Sequence, residues 1–147
     1  MGIMYSSILT IHSIWAVVAL LLVVAAIIFS IVGWSSNSEF SAGNKKLALF
    51  ALTAAHIQFL IGLLLYFTSP NGFDKIQMIG MKGMSAYDRL LALEHPLINL
   101  IAVTLITIGY SKHKKAIGVS KHKNIAIFYG IAALLLLSRI PWENWLN

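Results

Sequence analysis

The sequence predicts an all-α integral membrane protein, folded as an up-down bundle of four helices. Of its 147 residues, 59% are hydrophobic and only 11% are charged, whereas soluble domains average about 45–50% and about 25%. A soluble domain of this length has too much surface to cover with so few charges, so the composition argues against a soluble enzyme. Long apolar runs separated by polar breakers supply the helices.

The apolar runs follow one another without an internal repeat and are expected to form one domain over residues 1–147. A helix needs about 20 mostly apolar residues to cross the hydrocarbon core. The first run lacks a basic leading segment and exceeds the length of a cleavable signal peptide, so we expect it to remain as a helix. The predicted membrane helices cover about residues 8–34, 47–67, 88–110 and 124–140.

The basic residues predict the orientation of the bundle, because cytoplasmic loops are enriched in lysine and arginine. We therefore expect both termini and the second loop to lie outside the cytoplasm of a bacterial inner membrane, with the third loop against anionic lipid heads. No basic-aromatic platform accompanies the charge, so no nucleic acid partner is expected. His113 and His122 in the third loop are expected to be solvated. The first and third loops hold seven of the eleven basic residues: Lys45, Lys46, Lys112, Lys114, Lys115, Lys121 and Lys123.

Three histidines lie within the predicted spans, one on each of the first three helices: His12, His56 and His95. An ionisable side chain at the centre of a span costs roughly 2.5–3.5 kcal/mol on insertion scales for the charged residues, and such groups usually mark a functional site. Polar contacts that only hold helices together are the alternative. Three histidines on three helices favour a ligand site.

The depths of these histidines allow two pairings. At about 1.5 Å per residue, His12 lies roughly 6 Å and His95 roughly 10 Å below the outer side, while His56 is near the middle of the membrane. The first and third helices are diagonal neighbours in a simple bundle, so His12 and His95 could hold a flat macrocycle across the core. His56 could pair with His95 instead if the second and third helices slide. The spacing leaves both pairings open.

The chemistry that suits such histidines is b-type haem, because imidazole is a good axial ligand and an apolar bundle gives a low-dielectric pocket. The chain has no cysteine, which excludes thiolate-ligated haem and covalent c-type attachment. Pro96 frees the carbonyl of Ala92, which could bond the second nitrogen of His95. Arg139, on the same outer side, could face haem propionates or extend to the interface.

Two further polar residues lie close to His95 in the third helix. Glu94 could take protons at a quinol site or orient an imidazole, or it could pair with an arginine in the wet interface. Asn99, one turn further along the same face, could line the site or bond across helices. On the second helix a strip of small residues with one polar member predicts close helix packing instead of chemistry: Ala51, Ala55, Gln58 and Gly62.

The second loop contains Met78, Met81 and Met84 at three-residue spacing. Thioethers are soft ligands that select Cu(I), so a copper site is an alternative in which the methionines pass metal to the histidines. Gly80 and Gly83 interrupt a helix here, and methionines also serve as flexible apolar contacts at a lipid surface.

Short motifs carry a resemblance over most of the chain. They are His12-Ser13-Ile14-Trp15, His56-Ile57-Gln58 with Gly62 and Tyr66, Glu94-His95-Pro96, and Arg139-Ile140-Pro141-Trp142. With these motifs the sequence resembles the small four-helix membrane cytochromes b, of the bacterial cytochrome b561 and copper-resistance D types. The resemblance implies haem b on helix-borne histidines and electron transfer between quinol and a partner. The fourth helix lacks a histidine, so the family's ligand pairing does not carry over.

Three functions follow from these observations. The first is a one-haem electron-transfer protein or oxidoreductase subunit working between quinol and a membrane or periplasmic redox partner on the outer face. The second is a copper-binding or copper-transport protein. The third is a cofactor-free structural subunit of a larger complex, whose histidines only hold helices together. In each case we expect the chain to lie in a lipid bilayer. Its assembly state is left open: it could be a monomer, a homo-oligomer or a subunit of a larger complex.

Overall fold

A computed structural model describes residues 2–145. Over that range all the regular secondary structure is helical, and short loops join the helices. A π-helical turn, Leu90–Glu94, joins two α-helices into one continuous rod. The α-helices are α1 (Gly2–Ser35), α2 (Ala42–Thr68), α3 (Phe73–Gly83), α4 (Ala86–Arg89), α5 (His95–Lys115), α6 (Ser120–Ser138) and α7 (Trp142–Trp145).

Three helical segments are long and apolar enough to cross a membrane: Gly2–Ser35, Ala42–Thr68 and Ala86–Lys115. The expectation of an all-helical membrane protein is confirmed to that extent. The fourth predicted span corresponds to α6, whose first five residues, 120–124, are all polar. The apolar remainder is shorter than the about 20 residues that a crossing needs, so a fourth span stays a prediction.

The four long helices form a ring in the order α1, α2, α5, α6. Helix α1 packs against α2 and α6, and α5 packs against the same two helices, so α1 and α5 face each other across the diagonal. The core between them is made mainly of alanine, which lets helix backbones approach closely. Its buried alanines are Ala26, Ala48, Ala51, Ala55, Ala102, Ala132 and Ala133.

The outer surface of the bundle is covered by large aliphatic side chains, including Leu21 on α1, Leu60 on α2 and Leu134 on α6, all exposed. Such a surface suits lipid contact, since an exposed apolar face of this extent is rare on soluble monomers. Inside the bundle, the buried Tyr129 hydroxyl donates a hydrogen bond of 2.7 Å to the carbonyl of Ala48. This bond pairs a buried polar group of α6 with the backbone of α2.

The π-helical turn lies immediately before Pro96. The backbone N–H of His95 donates to the carbonyl of Leu90, five residues back. Proline has no N–H and cannot continue the regular ladder, so the helix widens here by one residue. Upstream, the Ser85 hydroxyl accepts from the Asp88 N–H while the Asp88 carboxylate accepts from the Ser85 N–H, which caps α4.

The expectation that His113 and His122 are solvated is wrong: their exposed fractions are 2% and 0%. Helices α5 and α6 run beyond the apolar segments into the lysine-rich sequence, so the loop between them is only residues 116–119. The two histidines lie on the inward faces of these extensions. Phe40 packs against both rings, with centroids 5.2 Å from His113 and 4.8 Å from His122.

Candidate ligand site at His12 and His95

A cavity of about 300 Å³ lies at the end of the bundle that holds the N-terminal part of α1 and the beginning of α5. Small-molecule sites typically measure about 300–1,000 Å³ and combine an apolar lining with a few convergent polar groups. His12 and His95 both line the cavity, so the structure brings together one of the two predicted pairs. Other polar lining residues are Tyr5, Ser13, Gln58, Tyr66, Ser69, Asn71, Tyr87, Asn99 and Asn144.

The rings of His12 and His95 are 6.3 Å apart between centroids, and their planes are inclined at 78°. An imidazole nitrogen binds a transition metal at roughly 2.0–2.1 Å and lies about 1.1 Å from its ring centre, so two imidazoles on opposite sides of one ion have centres roughly 6.2–6.4 Å apart. The observed centroid separation falls within that range, which an edge-to-face ring contact also allows. His12 comes from α1 and His95 from α5, across the diagonal of the bundle.

The His95 ring is held by the end of α6. Its Nδ1 bonds the carbonyl of Arg139 at 2.8 Å, where Nδ1 carries the proton because a carbonyl can only accept. In the neutral ring this leaves the Nε2 lone pair for a ligand. The partner expected from the sequence was the carbonyl of Ala92, but α6 ends beside His95 and provides the carbonyl instead. This bond fixes both the tautomer and the orientation of the ring.

The His12 ring lies against α2. The Gln58 amide donates a hydrogen bond of 2.9 Å to the His12 carbonyl, and its nitrogen lies 3.2 and 3.4 Å from the two ring nitrogens. Gly62 provides the space for the ring, because a Cβ at that position would lie 3.0 Å from Cε1. The Oε1 atom of Gln58 is buried without a hydrogen-bond partner among the described residues, which marks it as an acceptor facing an unfilled interaction.

Gln58 and Gly62 were assigned from the sequence to helix packing, and their contact with His12 was missed. The signal was present, because Gln58 is the one polar member of an otherwise small-residue strip. Only the packing of α1 on α2 shows which helix that strip faces.

His56 lies apart from the cavity, and both of its ring nitrogens have protein partners. Nδ1 donates to the carbonyl of Leu52 at 2.7 Å, and Nε2 lies 3.2 Å from the hydroxyl oxygen of Thr107. Thr107 belongs to α5, so His56 links α2 to α5. This arrangement is that of a polar contact between helices.

The other predicted polar residues surround His95. The Arg139 guanidinium pairs with the Glu94 carboxylate, Nε to Oε2, at 3.1 Å, and both side chains are nearly half exposed. The Asn99 amide donates to the carbonyl of His95 at 2.6 Å while lining the cavity. Asn99 thus bonds within its own helix, and no bond from its side chain to another helix is found among residues 2–145.

The three methionines do not share one environment. Met78 and Met81 lie on α3 with exposed fractions of 77% and 64%, whereas Met84 is 6% exposed. Gly80, with φ of 64°, bends α3 between the first two. No methionine lines the His12 cavity among the described residues.

Within residues 2–145, no three His, Cys, Asp or Glu side chains are grouped so that they could hold a metal ion. Haem does not require such a group of three protein ligands, because the macrocycle itself supplies most of the ligands of the iron. A pair of histidines is then sufficient.

No family model, curated protein or solved structure matches the chain. The functional assignment therefore depends on the geometry of the site.

Proposed function

We propose that the protein is a membrane b-type cytochrome that holds one haem b between His12 and His95 and carries electrons between quinol and a redox partner on the outer face. The observation that carries the proposal is the 6.3 Å separation of the two imidazole centroids at a cavity. Edge-to-face ring pairs also lie about 4.5–7 Å apart, so the proposal is carried by this separation together with the cavity that both rings line and the Nε2 atom that His95 presents.

The surroundings of the pair fit the group. The Arg139 carbonyl leaves Nε2 of His95 as the coordinating atom, as a metal-bound histidine requires of its outer partner. Gly62 and neighbouring apolar side chains such as Leu9, Leu20 and Leu91 give the cavity walls that a flat, largely apolar ring needs. The apolar surroundings also favour the neutral form of both imidazoles, which is the form that coordinates.

The residues of this chain position the ligands and shape the field at the site. Haem b bound there would accept and release single electrons. Gln58 and Gly62 hold the His12 ring against α2, and Asn99 holds the backbone carbonyl of His95. The Glu94–Arg139 pair at the mouth brings one negative and one positive charge near the site, so its net field is small compared with that of a lone arginine.

The membrane arrangement is part of the same proposal. We place both termini and α3 on the outer face, with the lysine-rich loops in the cytoplasm of a bacterial inner membrane, because lysine and arginine favour the cytoplasmic side. Helix α6 then serves as the fourth crossing, with its polar first turn in the cytoplasmic headgroup region. His12 and His95 would lie within reach of a partner on the outer face.

The test is the visible spectrum of the protein purified in detergent after expression with ample haem, oxidised and then reduced with dithionite. A sharp Soret band with α and β bands on reduction is expected. His12→Ala and His95→Ala should each abolish the haem spectrum of the wild-type protein, since each removes one of the two residues that would hold the haem iron. His56→Gln is the matched control, a change at another intramembrane histidine, and should retain the spectrum.

A featureless spectrum from well-folded protein would overturn the proposal. So would a haem spectrum that survives both single alanine variants. Copper bound without haem, and lost on changing Met78, Met81 and Met84 to leucine, would favour the copper alternative.

A further inference from the structure

The end of the bundle opposite the His12 cavity carries a strong positive charge. Seven lysines lie in or beside its two loops, against a single carboxylate, Glu39. The ion pairs Lys75–Asp88 and Arg139–Glu94 both belong to the other end. The lysines at this end are therefore not neutralised by carboxylates of the described chain.

Three of these lysines surround a second cavity, of about 370 Å³. It opens where the beginning of α2 meets the end of α5 and the beginning of α6. The lining residues are Phe40, Ser41, Ala42, Lys45, His113, Lys114 and Lys121. Lys45 comes from α2, Lys114 from α5 and Lys121 from α6, and all three line this cavity together with His113.

Uncharged donors face the same cavity. The Ser41 hydroxyl caps α2 by accepting from the Asn44 N–H, and the Lys45 N–H bonds the Ser41 carbonyl. The first two amides of α2, at Ala42 and Gly43, have no carbonyl partner in an α-helix. Ala42 lines the cavity, and this end of α2 carries the positive end of the helix dipole.

His113 completes the lining. Its Nδ1 is bonded to the carbonyl of Tyr110, which leaves Nε2 as the polar atom available to the cavity. The side chain is 2% exposed, and Phe40 packs against the ring and forms the apolar floor. Hydrogen-bond donors and cations from α2, α5 and α6 thus line the cavity around the Phe40 ring.

We propose that this cavity binds a phosphate group, either that of an anionic phospholipid headgroup or free inorganic phosphate. Phosphate offers several acceptor oxygens in a tetrahedral arrangement, which suits donors that converge from α2, α5 and α6. A basic cavity between membrane helices at the headgroup level is a recognised setting for anionic lipids. The site is distinct from the His12 cavity and does not depend on haem.

Native mass spectrometry of the detergent-solubilised protein, with added phosphatidylglycerol or phosphatidylcholine, tests the proposal. We expect one phosphatidylglycerol to be retained in preference to phosphatidylcholine. The triple variant Lys45→Gln, Lys114→Gln and Lys121→Gln should lose that retention by roughly tenfold or more. The matched control changes three lysines of the same end that do not line the cavity, Lys46→Gln, Lys112→Gln and Lys115→Gln, and should keep it.

A second arm distinguishes the two sources of phosphate. Inorganic phosphate is titrated against the lipid-free protein while thermal unfolding is followed by circular dichroism, with potassium chloride at equal ionic strength as the reference. A stabilisation by phosphate that the cavity variant loses, without preference for phosphatidylglycerol, would assign the site to free phosphate. Retention of phosphatidylglycerol without such stabilisation would assign it to the lipid.

Equal losses in the cavity and control variants would overturn the proposal, because binding would then depend on total charge alone. Retention of neither ligand above its reference by the wild-type protein would do the same. All substitutions are at surface lysines, and circular dichroism of each variant verifies that the helices are intact.

Discussion

The two ends of the bundle each contain a pair of histidines from different helices, but the pairs are arranged differently. At one end, His12 and His95 are 6.3 Å apart and both line a cavity. At the other end, Phe40 packs against both His113 and His122. Both histidines of the first pair line one cavity, whereas in the second pair Phe40 packs against both rings, His122 is fully buried, and only His113 lines the neighbouring cavity.

The backbone holds the rings at both ends, so a hydrogen bond to a carbonyl does not distinguish the pairs. His95 bonds Arg139, while His113 bonds Tyr110 and His122 bonds Glu39. What differs is whether both rings of the pair line the cavity next to them, as His12 and His95 do, or only one ring does, as His113 does. Residue type and helix position therefore predict histidine pairs, but only packing separates a candidate ligand pair from a structural one.

Removing the Phe40 side chain should have the largest effect on stability and directly tests the difference between the two ends. Phe40→Ala should lower the free energy of unfolding by about 2–4 kcal/mol, because a half-buried ring that contacts both histidines is replaced by a void. Denaturant titration in detergent micelles, followed by circular dichroism, measures the change. The haem spectrum expected for the other end should stay unchanged, and a variant as stable as the wild type would contradict the role given to Phe40.

A methyl group beside the second pair should have the next largest effect. In Gly33→Ala the new Cβ would lie 2.2–2.6 Å from three atoms of the His122 ring. That ring is fully buried, so we expect a loss of about 1–3 kcal/mol in the free energy of unfolding. Gly130→Ala on α6 is the control, because no atom lies within 4 Å of its Cβ; it should be neutral or slightly stabilising. Equal effects of the two changes on thermal unfolding would contradict this expectation.

The same substitution beside the first pair should have the smallest effect on stability and sharpen the comparison. In Gly62→Ala the new Cβ would lie 3.0 Å from Cε1 of His12. His12 faces a cavity and can move, so the protein should remain as stable as the wild type. The displaced ring should instead weaken haem retention by roughly fivefold, about 1 kcal/mol. Haem titration monitored at the Soret band measures this, and a loss of stability as large as that of Gly33→Ala would show that the two ends are packed alike.

The sequence predicted the membrane helices because their signal is local. A long apolar run must form a helix in lipid, whatever its neighbours are. Residue spacing also allowed the His12–His95 pair, but as one of two pairings. The choice depends on the rotation of each helix about its axis, which side-chain packing decides. In the packed bundle, the His56 ring on α2 contacts the hydroxyl of Thr107 on α5. The His95 ring on α5 bonds the carbonyl of Arg139 at the end of α6.

The burial of His113 and His122 could not be predicted from composition, because lysines surround both in the sequence. A helical extension places successive residues on different faces, so a histidine can point inward while its lysine neighbours point to solvent. The sequence signal for this extension of α5 was that no glycine or proline interrupts the chain between Tyr110 and Gly118. Gln58 was misjudged for a related reason, since the sequence cannot say which helix a small-residue strip will meet.

The π-helical turn affects the shape of the His12 cavity. Apart from Pro96, the residues of its rod that line the cavity recur at every fourth position: Tyr87, Leu91, His95, Asn99 and Val103. In a regular α-helix such a row drifts by about 40° at each step and would leave the cavity within a few turns. The extra residue in the wide turn before Pro96 reduces that drift. A chain with one residue fewer between Leu90 and Glu94 would keep His95 in place but rotate Tyr87 by about 100°, which would open the cavity to lipid at its outer edge.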